Sequence, residues 1–168
     1  DEIVKIAREH DLFIIADEIY AHITYPGQPH LHLSQWVQDV PGIAMRGISK
    51  EYPWPGARCG WIEIINRGRD ANFATYAESL LAAKRLEVCS TTLPQMSIPR
   101  VFGDPRYKDH LARRAGIFAA RAEEAVRAFD GCDAVIVNKP GGAFYLTVMF
   151  KDGVLNGGQT LPIENPAV

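Results

Sequence analysis

The sequence has few cysteines, little net charge and no long apolar run, and each shortage excludes a class of protein. Its three cysteines are far apart and odd in number, so they provide neither a disulfide framework nor the spacing of a metal site. A formal net charge of −2 gives no electrostatic basis for binding nucleic acid or an anionic membrane surface. No apolar run approaches the roughly 20 residues that a membrane-spanning helix requires.

What remains is the composition of an ordinary globular protein. Of the 168 residues, 47% are hydrophobic and 23% are charged, and a chain of this length can bury one good core. No repeat, low-complexity segment or signal peptide is evident. We therefore expect Cys59, Cys89 and Cys132 to be reduced thiols, which is typical of a cytoplasmic protein.

Three histidines, His22, His30 and His32, lie in one loop and suggest a metal site. A zinc site of the usual kind needs further cysteine or carboxylate ligands at familiar spacing. The sequence supplies no convincing set of this kind. We therefore predict that the protein has no metal site.

Two apolar runs each end beside a charged residue. Residues 12–16 are short and wholly apolar, which is typical of a buried parallel strand, and Asp17 follows them. Residues 42–49 indicate a second strand, and Lys50 follows it. Open α/β sheets bind their ligands at the carboxyl ends of their strands. We therefore expect Asp17 and Lys50 to meet at one edge of the sheet.

The residue types at these positions are those that pyridoxal 5'-phosphate requires. The Lys50 amine can form a Schiff base with an aldehyde when it is unprotonated. Asp17 can stabilise a protonated pyridine nitrogen, which keeps the cofactor an electron sink. Tyr20 can donate a hydrogen bond to the 3-oxygen of the ring, and the planar guanidinium of Arg58 suits a phosphate.

Each of these residues also has an ordinary structural role. Asp17 would suit a turn or a helix cap, and Lys50 an exposed surface. The tyrosine would suit a packed aromatic cluster. Arg58 would suit an ion pair with Glu51 or Glu63. The order and spacing of four such residues in one segment favour the cofactor-binding interpretation.

Several segments resemble the class I and II aminotransferases, which are pyridoxal-phosphate enzymes of fold type I. Three of them carry the residues above: residues 17–20 (Asp-Glu-Ile-Tyr), residues 49–50 (Ser-Lys) and residues 55–61 (Pro-Gly-Ala-Arg-Cys-Gly-Trp). A fourth, residues 139–145 (Lys-Pro-Gly-Gly-Ala-Phe-Tyr), is similar to a strand entry in the family's small domain. The resemblance covers roughly residues 1–150, and the order of the segments makes it specific.

The resemblance implies a role for each of the four candidate residues. Lys50 is implied to be the catalytic Schiff-base lysine, and Asp17 the partner of the pyridine nitrogen. Tyr20 is implied to bind the 3-oxygen, and Arg58 the phosphate. One position departs from the family pattern, since Gly47 stands where many members have a serine that meets the phosphate.

The implied function is that of a pyridoxal-phosphate-dependent aminotransferase, which moves an amino group from an amino acid to a keto acid. The resemblance also implies a homodimer. Two other functions remain open, because the same residues serve lyases and synthases on this fold and also non-catalytic modules that bind the cofactor.

The implied fold is α/β, with part of a large cofactor domain followed by part of a small α+β domain. The large domain has a mostly parallel sheet with helices and is expected over residues 1–95, and the small domain over residues 96–168. The chain begins without a methionine, and the family's glycine-rich phosphate turn is not found before Asp17. We therefore expect a middle-to-late segment of a longer enzyme.

Hydrophobic periodicity and breaker residues predict the remaining elements. The predicted helices are residues 2–10, 33–37, 69–86 and 105–129, with a short or kinked helix around Pro94 and Pro99. The further predicted strands are residues 60–65, 133–137 and 143–149. Residues 51–57 are predicted to form a non-helical turn, and the tail from Lys151 a loop. The arginines predicted to form a solvated helix face are Arg113, Arg114, Arg121 and Arg127.

Overall fold

The computed structural model describes residues 2–154 and confirms the α/β class. Most of the predicted loop after Lys151 lies outside the described residues. Three strands form the first sheet: β1 is Ile14–Asp17, β2 is Gly42–Gly47 and β3 is Gly60–Ile65. The central strand β2 runs parallel to β1 and antiparallel to β3.

The lengths of the connections agree with these strand directions. A parallel pair needs a long crossover, and residues 18–41 provide one between β1 and β2. Residues 48–59 return the chain directly beside β2, so β3 is antiparallel. The mostly parallel sheet that the resemblance implies is therefore represented in the described residues by one parallel and one antiparallel pair.

One face of this sheet packs against two helices, α1 (Glu2–Glu9) and α2 (Leu33–Trp36). Both helices lie within their predicted ranges. Leu33 is fully buried beneath Gly42, where an added Cβ would lie 3.0 Å from the leucine Cδ2. The buried members of this core are Val4, Ala7, Leu33, Val37, Val40 and Ala44.

The opposite face of the sheet is only partly covered in the described residues: Ile43 is buried there, but three other apolar side chains are partly exposed. Ile15 is 53% exposed, Ile62 is 42% exposed and Met45 is 38% exposed. The strand register and the alternation of side chains place all three on one face. The prediction of a parallel strand within residues 12–16 is therefore confirmed by β1, but the prediction that this strand is buried is wrong for the described part of the chain.

Lys50 lies in a single helical turn rather than at a strand end. The predicted strand over residues 42–49 ends early, and the chain forms α3 (Ile48–Glu51). Ile48 is fully buried, and its N–H donates to the carbonyl oxygen of Cys59 at 3.3 Å. The chain is thus turned inward immediately before the lysine.

Gly47, which precedes this turn, is tightly enclosed. A Cβ at this position would lie 3.0 Å from Cδ1 of Ile19 and 3.1 Å from the carbonyl oxygen of Cys59. Side-chain and backbone neighbours would both have to shift to accept any larger residue. This close packing is a physical reason for glycine where many family members have serine.

Three longer helices follow, close to their predicted bounds: α4 (Ala71–Arg85), α5 (Thr92–Phe102) and α6 (Arg106–Arg127). α4 begins after Asp70, whose side chain caps it by accepting a hydrogen bond from the N–H of Phe73 at 2.6 Å. α5 continues through the second of its two prolines. In the described part of the chain, no helix is both long and apolar enough to cross a membrane.

A second sheet pairs β4 (Val135–Val137) with β5 (Val148–Phe150) in antiparallel orientation. Both strands were expected, but the one predicted over residues 143–149 begins late. Ala143 adopts a left-handed conformation with φ of 57°. Gly142, just before it, forms an isolated antiparallel bridge with Thr24 in the loop after β1. The chain therefore turns before it enters β5.

Candidate active site

β1 and β2 are parallel, so Asp17, at the end of β1, and Lys50, in the turn after β2, follow the carboxyl ends of neighbouring strands. Asp17 ends β1 and pairs in register with Met45 of β2, and the N–H of Glu18 donates to the Met45 carbonyl oxygen at 2.9 Å. Lys50 follows in α3. The Asp17 side chain is exposed, and its Oδ1 accepts a hydrogen bond from the N–H of Ile19 at 3.2 Å.

The Lys50 amine lies over two aromatic rings. Its Nζ is 5.9 Å from the ring centroid of Tyr20 and 5.6 Å from that of Phe144. At such distances the face of an aromatic ring attracts a cation. The side chain is half-buried, and among residues 2–154 its amine has no hydrogen-bond or ion-pair partner. No described carboxylate therefore engages the amine.

Tyr20 is held by other aromatic residues. Its hydroxyl lies 2.7 Å from the hydroxyl of Tyr145, and its ring meets the ring of Phe144 edge-on at a centroid distance of 5.3 Å. Burial, the hydrogen bond to Tyr145 and the nearby charge of Asp17 raise the pKa of Tyr20 to about 12. The phenol is therefore protonated at neutral pH and can donate a hydrogen bond.

Phe144 and Tyr145 belong to this site although no single-residue pattern marks them as site residues. They reach it because Thr24 and Gly142 form an antiparallel bridge. Beside this bridge, the N–H of Ala143 donates to the Ile23 carbonyl oxygen at 2.7 Å. A Cβ on Gly142 would lie only 2.8 Å from that oxygen. Two consecutive glycines before an aromatic pair are the available signal, since such glycines often mark a close approach of two backbones.

Arg58 is exposed and has no hydrogen bond, ion pair or cation–π contact with the other three candidates in the described residues. It follows the 3₁₀ helix Pro55–Ala57, so the prediction of a non-helical turn over residues 51–57 is wrong, and it has a left-handed conformation with φ of 48°. Its Nη1 donates to the Pro55 carbonyl oxygen at 2.8 Å. The residue lines a groove bounded by β3, α4 and α5, which does not include Lys50.

The two carboxylates considered as partners of Arg58 bind other residues, so that alternative is wrong. Glu63 pairs with Arg46 at 3.3 Å, and Glu51 lies 2.6 Å from His22. In the described part of the chain, none of the three charged residues predicted to bind the cofactor forms an ion pair. Their charges remain available to a ligand.

Glu18, in contrast to its neighbour Asp17, is buried and fully engaged. Its Oε1 accepts a hydrogen bond from the N–H of Leu33 at 2.5 Å, and its Oε2 lies 3.0 Å from Arg46 and 2.7 Å from His32. Burial opposes ionisation, but the hydrogen bonds from Leu33 and His32 and the charge of Arg46 together lower the pKa of Glu18. Glu18 thus ties the loop after β1 to β2.

Glu18 also supplies the carboxylate that the histidine loop lacks in sequence. Ligand atoms of Glu18, His30 and His32 all lie within 4.8 Å of one another, and two imidazoles with a carboxylate suit zinc. Both oxygens of Glu18 are already engaged, however, and the Arg46 guanidinium would repel a cation. This cluster is adequately explained by its own hydrogen bonds, and the absence of a metal site stays a prediction.

Comparison with known proteins places this geometry in a family. Residues 1–154 match the family described as aminotransferase class I and II. Over 165 residues the chain is 51% identical to an uncharacterized aminotransferase of Methanocaldococcus jannaschii, covering 98% of this chain and 38% of that protein. It is 31% identical over 145 residues to a glutamate-pyruvate aminotransferase of Haemophilus influenzae, covering 86% of this chain and 35% of that protein. The chain thus spans little more than a third of these relatives.

Solved structures share the fold over a similar portion. An alanine aminotransferase from Pyrococcus furiosus superposes with a TM-score of 0.75 at 30% identity, covering 89% of this chain and 37% of that one. An α-aminoadipate aminotransferase from Thermus thermophilus, solved with N-(5'-phosphopyridoxyl)-L-leucine, gives a TM-score of 0.72 at 17% identity, covering 90% and 38%. The second likeness shows the fold alone. Together they confirm the predicted fold class.

Proposed function

Since the chain belongs to the aminotransferase class I and II family, we propose that it is part of a pyridoxal-phosphate-dependent aminotransferase. The observation that carries the proposal is the Lys50 amine, which lies over two aromatic rings without an ion-pair partner in the described residues. Because the chain spans little more than a third of its relatives, the proposed activity is that of a longer protein.

The chemistry of the candidate residues fits this cofactor. Lys50 would hold its aldehyde carbon, Asp17 its ring nitrogen, Tyr20 its 3-oxygen and Arg58 its phosphate. The common strand edge of Asp17 and Lys50, and the contact of Lys50 with Tyr20, support the first three roles. The role of Arg58 depends on the sequence resemblance, because within residues 2–154 its side chain forms no hydrogen bond or ion pair with the other three.

The cofactor, when bound, supplies an electron sink for the electrons released at the substrate's α-carbon. Once the amine of the amino acid has displaced it from the aldehyde carbon, the freed Lys50 Nζ would take the proton from the substrate's α-carbon and later return it, as general base and then general acid. The Asp17 carboxylate keeps the ring nitrogen protonated. Tyr20 donates its phenolic proton to a hydrogen bond with the 3-oxygen, since its pKa of about 12 keeps it protonated. The amino group of the amino acid is thereby passed on to a keto acid.

We also propose the organisation that the family resemblance implies. Residues 1–95 would belong to the large cofactor domain and residues 96–168 to the small domain, and the separate sheets β1–β3 and β4–β5 support this division. The partners would be amino-acid and keto-acid substrates and a second copy of the chain in a cytoplasmic homodimer. No nucleic-acid or membrane partner is proposed.

Borohydride reduction in the presence of pyridoxal phosphate, followed by mass spectrometry, tests the cofactor and the lysine together. In the longest natural form of the protein we expect a phosphopyridoxyl group on Lys50. Lys50→Ala should abolish both the adduct and transamination, whereas Lys108→Ala, at an exposed helix position, should change neither.

Product analysis of the same preparation identifies the reaction type. A keto acid, with the amino group retained on the cofactor, would agree with transamination. Ammonia released together with pyruvate would show elimination instead and would refute the proposed reaction. An adduct without any product would favour a cofactor-binding module.

A further inference from the structure

A buried carboxylate lies directly beside the proposed catalytic lysine. The Glu51 side chain is 7% exposed, and its Oε1 lies 2.6 Å from Nδ1 of His22. Its Oε2 accepts a hydrogen bond from the hydroxyl of Tyr107 at 3.2 Å. A buried charge is costly unless it has hydrogen-bond partners, and Glu51 has one for each oxygen. This position is therefore specifically built to keep a carboxylate.

The long helix α6 provides an arginine that binds the backbone of the same turn. Nη1 of Arg114 donates to the carbonyl oxygen of Lys50 at 2.6 Å and to that of Glu51 at 2.5 Å. These carbonyls end α3, and the last carbonyls of a helix have no partner within the helix. The prediction that Arg114 lies on a solvated face is therefore wrong, because its side chain is half-buried and turned toward α3.

The Glu51 carboxylate links the turn that carries Lys50 to the loop that carries Tyr20. His22 lies two residues after Tyr20, so the contact of His22 with Glu51 ties the loop that carries Tyr20 to the turn that carries Lys50. His110 of α6 adds a ring nitrogen 3.2 Å from the Glu51 carbonyl oxygen. Three segments, the loop after β1, α3 and α6, thus meet at Glu51.

We propose that Arg114, which binds the turn anchored by Glu51, is a positioning residue that sets the Lys50 amine against the rings of Tyr20 and Phe144. The proposal rests on the proposed function of Lys50. A single helical turn is unstable by itself, because helix nucleation is unfavourable, so α3 depends on the contacts that hold its end. A displacement of about 1 Å at a reacting group can lower a rate by about 100-fold, which gives these contacts a catalytic consequence.

The test compares Arg114→Met with Arg113→Met in the longest natural form of the protein. Methionine keeps an apolar stem but removes the donors. Arg113 is an exposed neighbour on the same helix and has no hydrogen bond or ion pair among the described residues, so it provides a matched control. Circular dichroism establishes that each variant is folded.

Two measurements report on the lysine. In cofactor-free protein, competitive acetylation read by mass spectrometry gives the reactivity of the Lys50 amine relative to that of exposed Lys108. In the loaded enzyme, kcat and KM are measured separately. For Arg114→Met we expect the labelling ratio to change and kcat to fall by about 10- to 100-fold with little change in KM. Arg113→Met should match the wild type in both.

A conservative variant covers the case in which Arg114→Met does not fold. Arg114→Lys keeps a cationic donor that reaches the carbonyls less well than a guanidinium fork. Arg114→Lys should show a labelling ratio and a kcat that differ from those of the wild type, but by less than is expected when both hydrogen bonds to the α3 carbonyls are lost. If Arg114→Lys behaves like Arg113→Lys in both measurements, the positioning role is refuted.

Failure of this proposal is distinguishable from failure of the proposed function. No borohydride adduct on Lys50 of the wild type would refute the cofactor and, with it, the catalytic meaning of the contact. An adduct on Lys50, combined with equal labelling ratios and equal kcat for Arg114→Met and Arg113→Met, would refute the positioning role alone.

Discussion

At the scale of single residues, neighbouring charges at the sheet edge serve different purposes. Glu18 is buried and binds groups from two other segments, whereas Asp17 is exposed and forms no ion pair in the described residues. The alternation of side chains along an extended chain sends one carboxylate to each side. Lys50 and Glu51 show a similar division, because within residues 2–154 the Lys50 amine has no hydrogen-bond or ion-pair partner, whereas both carboxylate oxygens of Glu51 have one.

Replacing Glu18 by Gln should destabilise the protein by about 1–3 kcal/mol near neutral pH, because Arg46 then loses its buried charged partner and keeps only the more exposed Glu63. Its partners lower the pKa of Glu18 below the ordinary value of 4.5, so ionised Glu18 stabilises the folded state above that pH. This contribution is lost as the pH falls through the lowered pKa. In urea unfolding at several pH values, the difference between wild type and variant should therefore shrink in acid.

Glu63→Gln is the matched control for this prediction. Glu63 pairs with the same arginine, Arg46, but its side chain is 40% exposed. Exposed pairs contribute about 0–1 kcal/mol, so the loss should be small. Equal losses for the two variants, or a Glu18→Gln effect that is independent of pH, would contradict the assignment of Glu18 as a buried structural anion.

At the scale of elements, the sequence predicts what depends on local pattern. The apolar runs predict β1, β2 and β3, and helical spacing predicts α4 and α6, because burial of one face imposes the period. The position of Lys50 in a helical turn is less predictable. β2 ends and α3 begins at Ile48 because this side chain packs into the interior, which is a tertiary contact. Arg114 has the sequence context of a solvated arginine, and only the approach of α3 gives it partners. Phe144 and Tyr145 likewise reach the site through tertiary contact.

Gly142→Ala should weaken the bridge that brings the aromatic pair to Lys50. An added Cβ would lie 2.8 Å from the Ile23 carbonyl oxygen, so the two backbones would have to separate. Overpacking of this kind typically costs about 1–3 kcal/mol, which urea unfolding would measure. The acetylation ratio of the Lys50 amine should change as well, because the ring of Phe144 would move with the backbone.

Gly116→Ala in α6 provides the comparison, because an added Cβ there meets nothing within 4 Å. Alanine in a helix interior is favoured over glycine by about 0.5–1 kcal/mol, so this variant should be slightly more stable than wild type. If Gly142→Ala were as stable as Gly116→Ala and left the reactivity of Lys50 unchanged, the bridge would not position the aromatic pair.

At the scale of the whole molecule, one face of the sheet is only partly covered. Ile43 is buried on that face, but Ile15, Met45 and Ile62 remain partly exposed in the described residues, and the chain matches little more than a third of each of these two curated relatives. An exposed apolar sheet face favours association with another surface. The sequence predicts the apolar strand but not its open face, because what covers a strand is decided by the rest of the fold.

The 168-residue chain by itself should therefore self-associate through this face. Sedimentation velocity over a range of concentrations would measure the association, and Ile15→Lys should reduce it because a charge would be placed on the open face. Val88→Lys is the control, since Val88 is 94% exposed in the segment between α4 and α5. Equal effects of the two substitutions would show that the sheet face is not the contact.

The hydrogen bond between Tyr20 and Tyr145 has a consequence for the timing of synthesis. It joins positions 125 residues apart, so the aromatic surroundings of Lys50 cannot close until residue 145 has emerged from the ribosome. At about 5–20 residues per second, this leaves Tyr20 without that partner for about 6–25 s after its own synthesis. For the part of that interval that follows its own synthesis, the nascent lysine is open to any aldehyde in the cell, since its aromatic enclosure requires Phe144 and Tyr145.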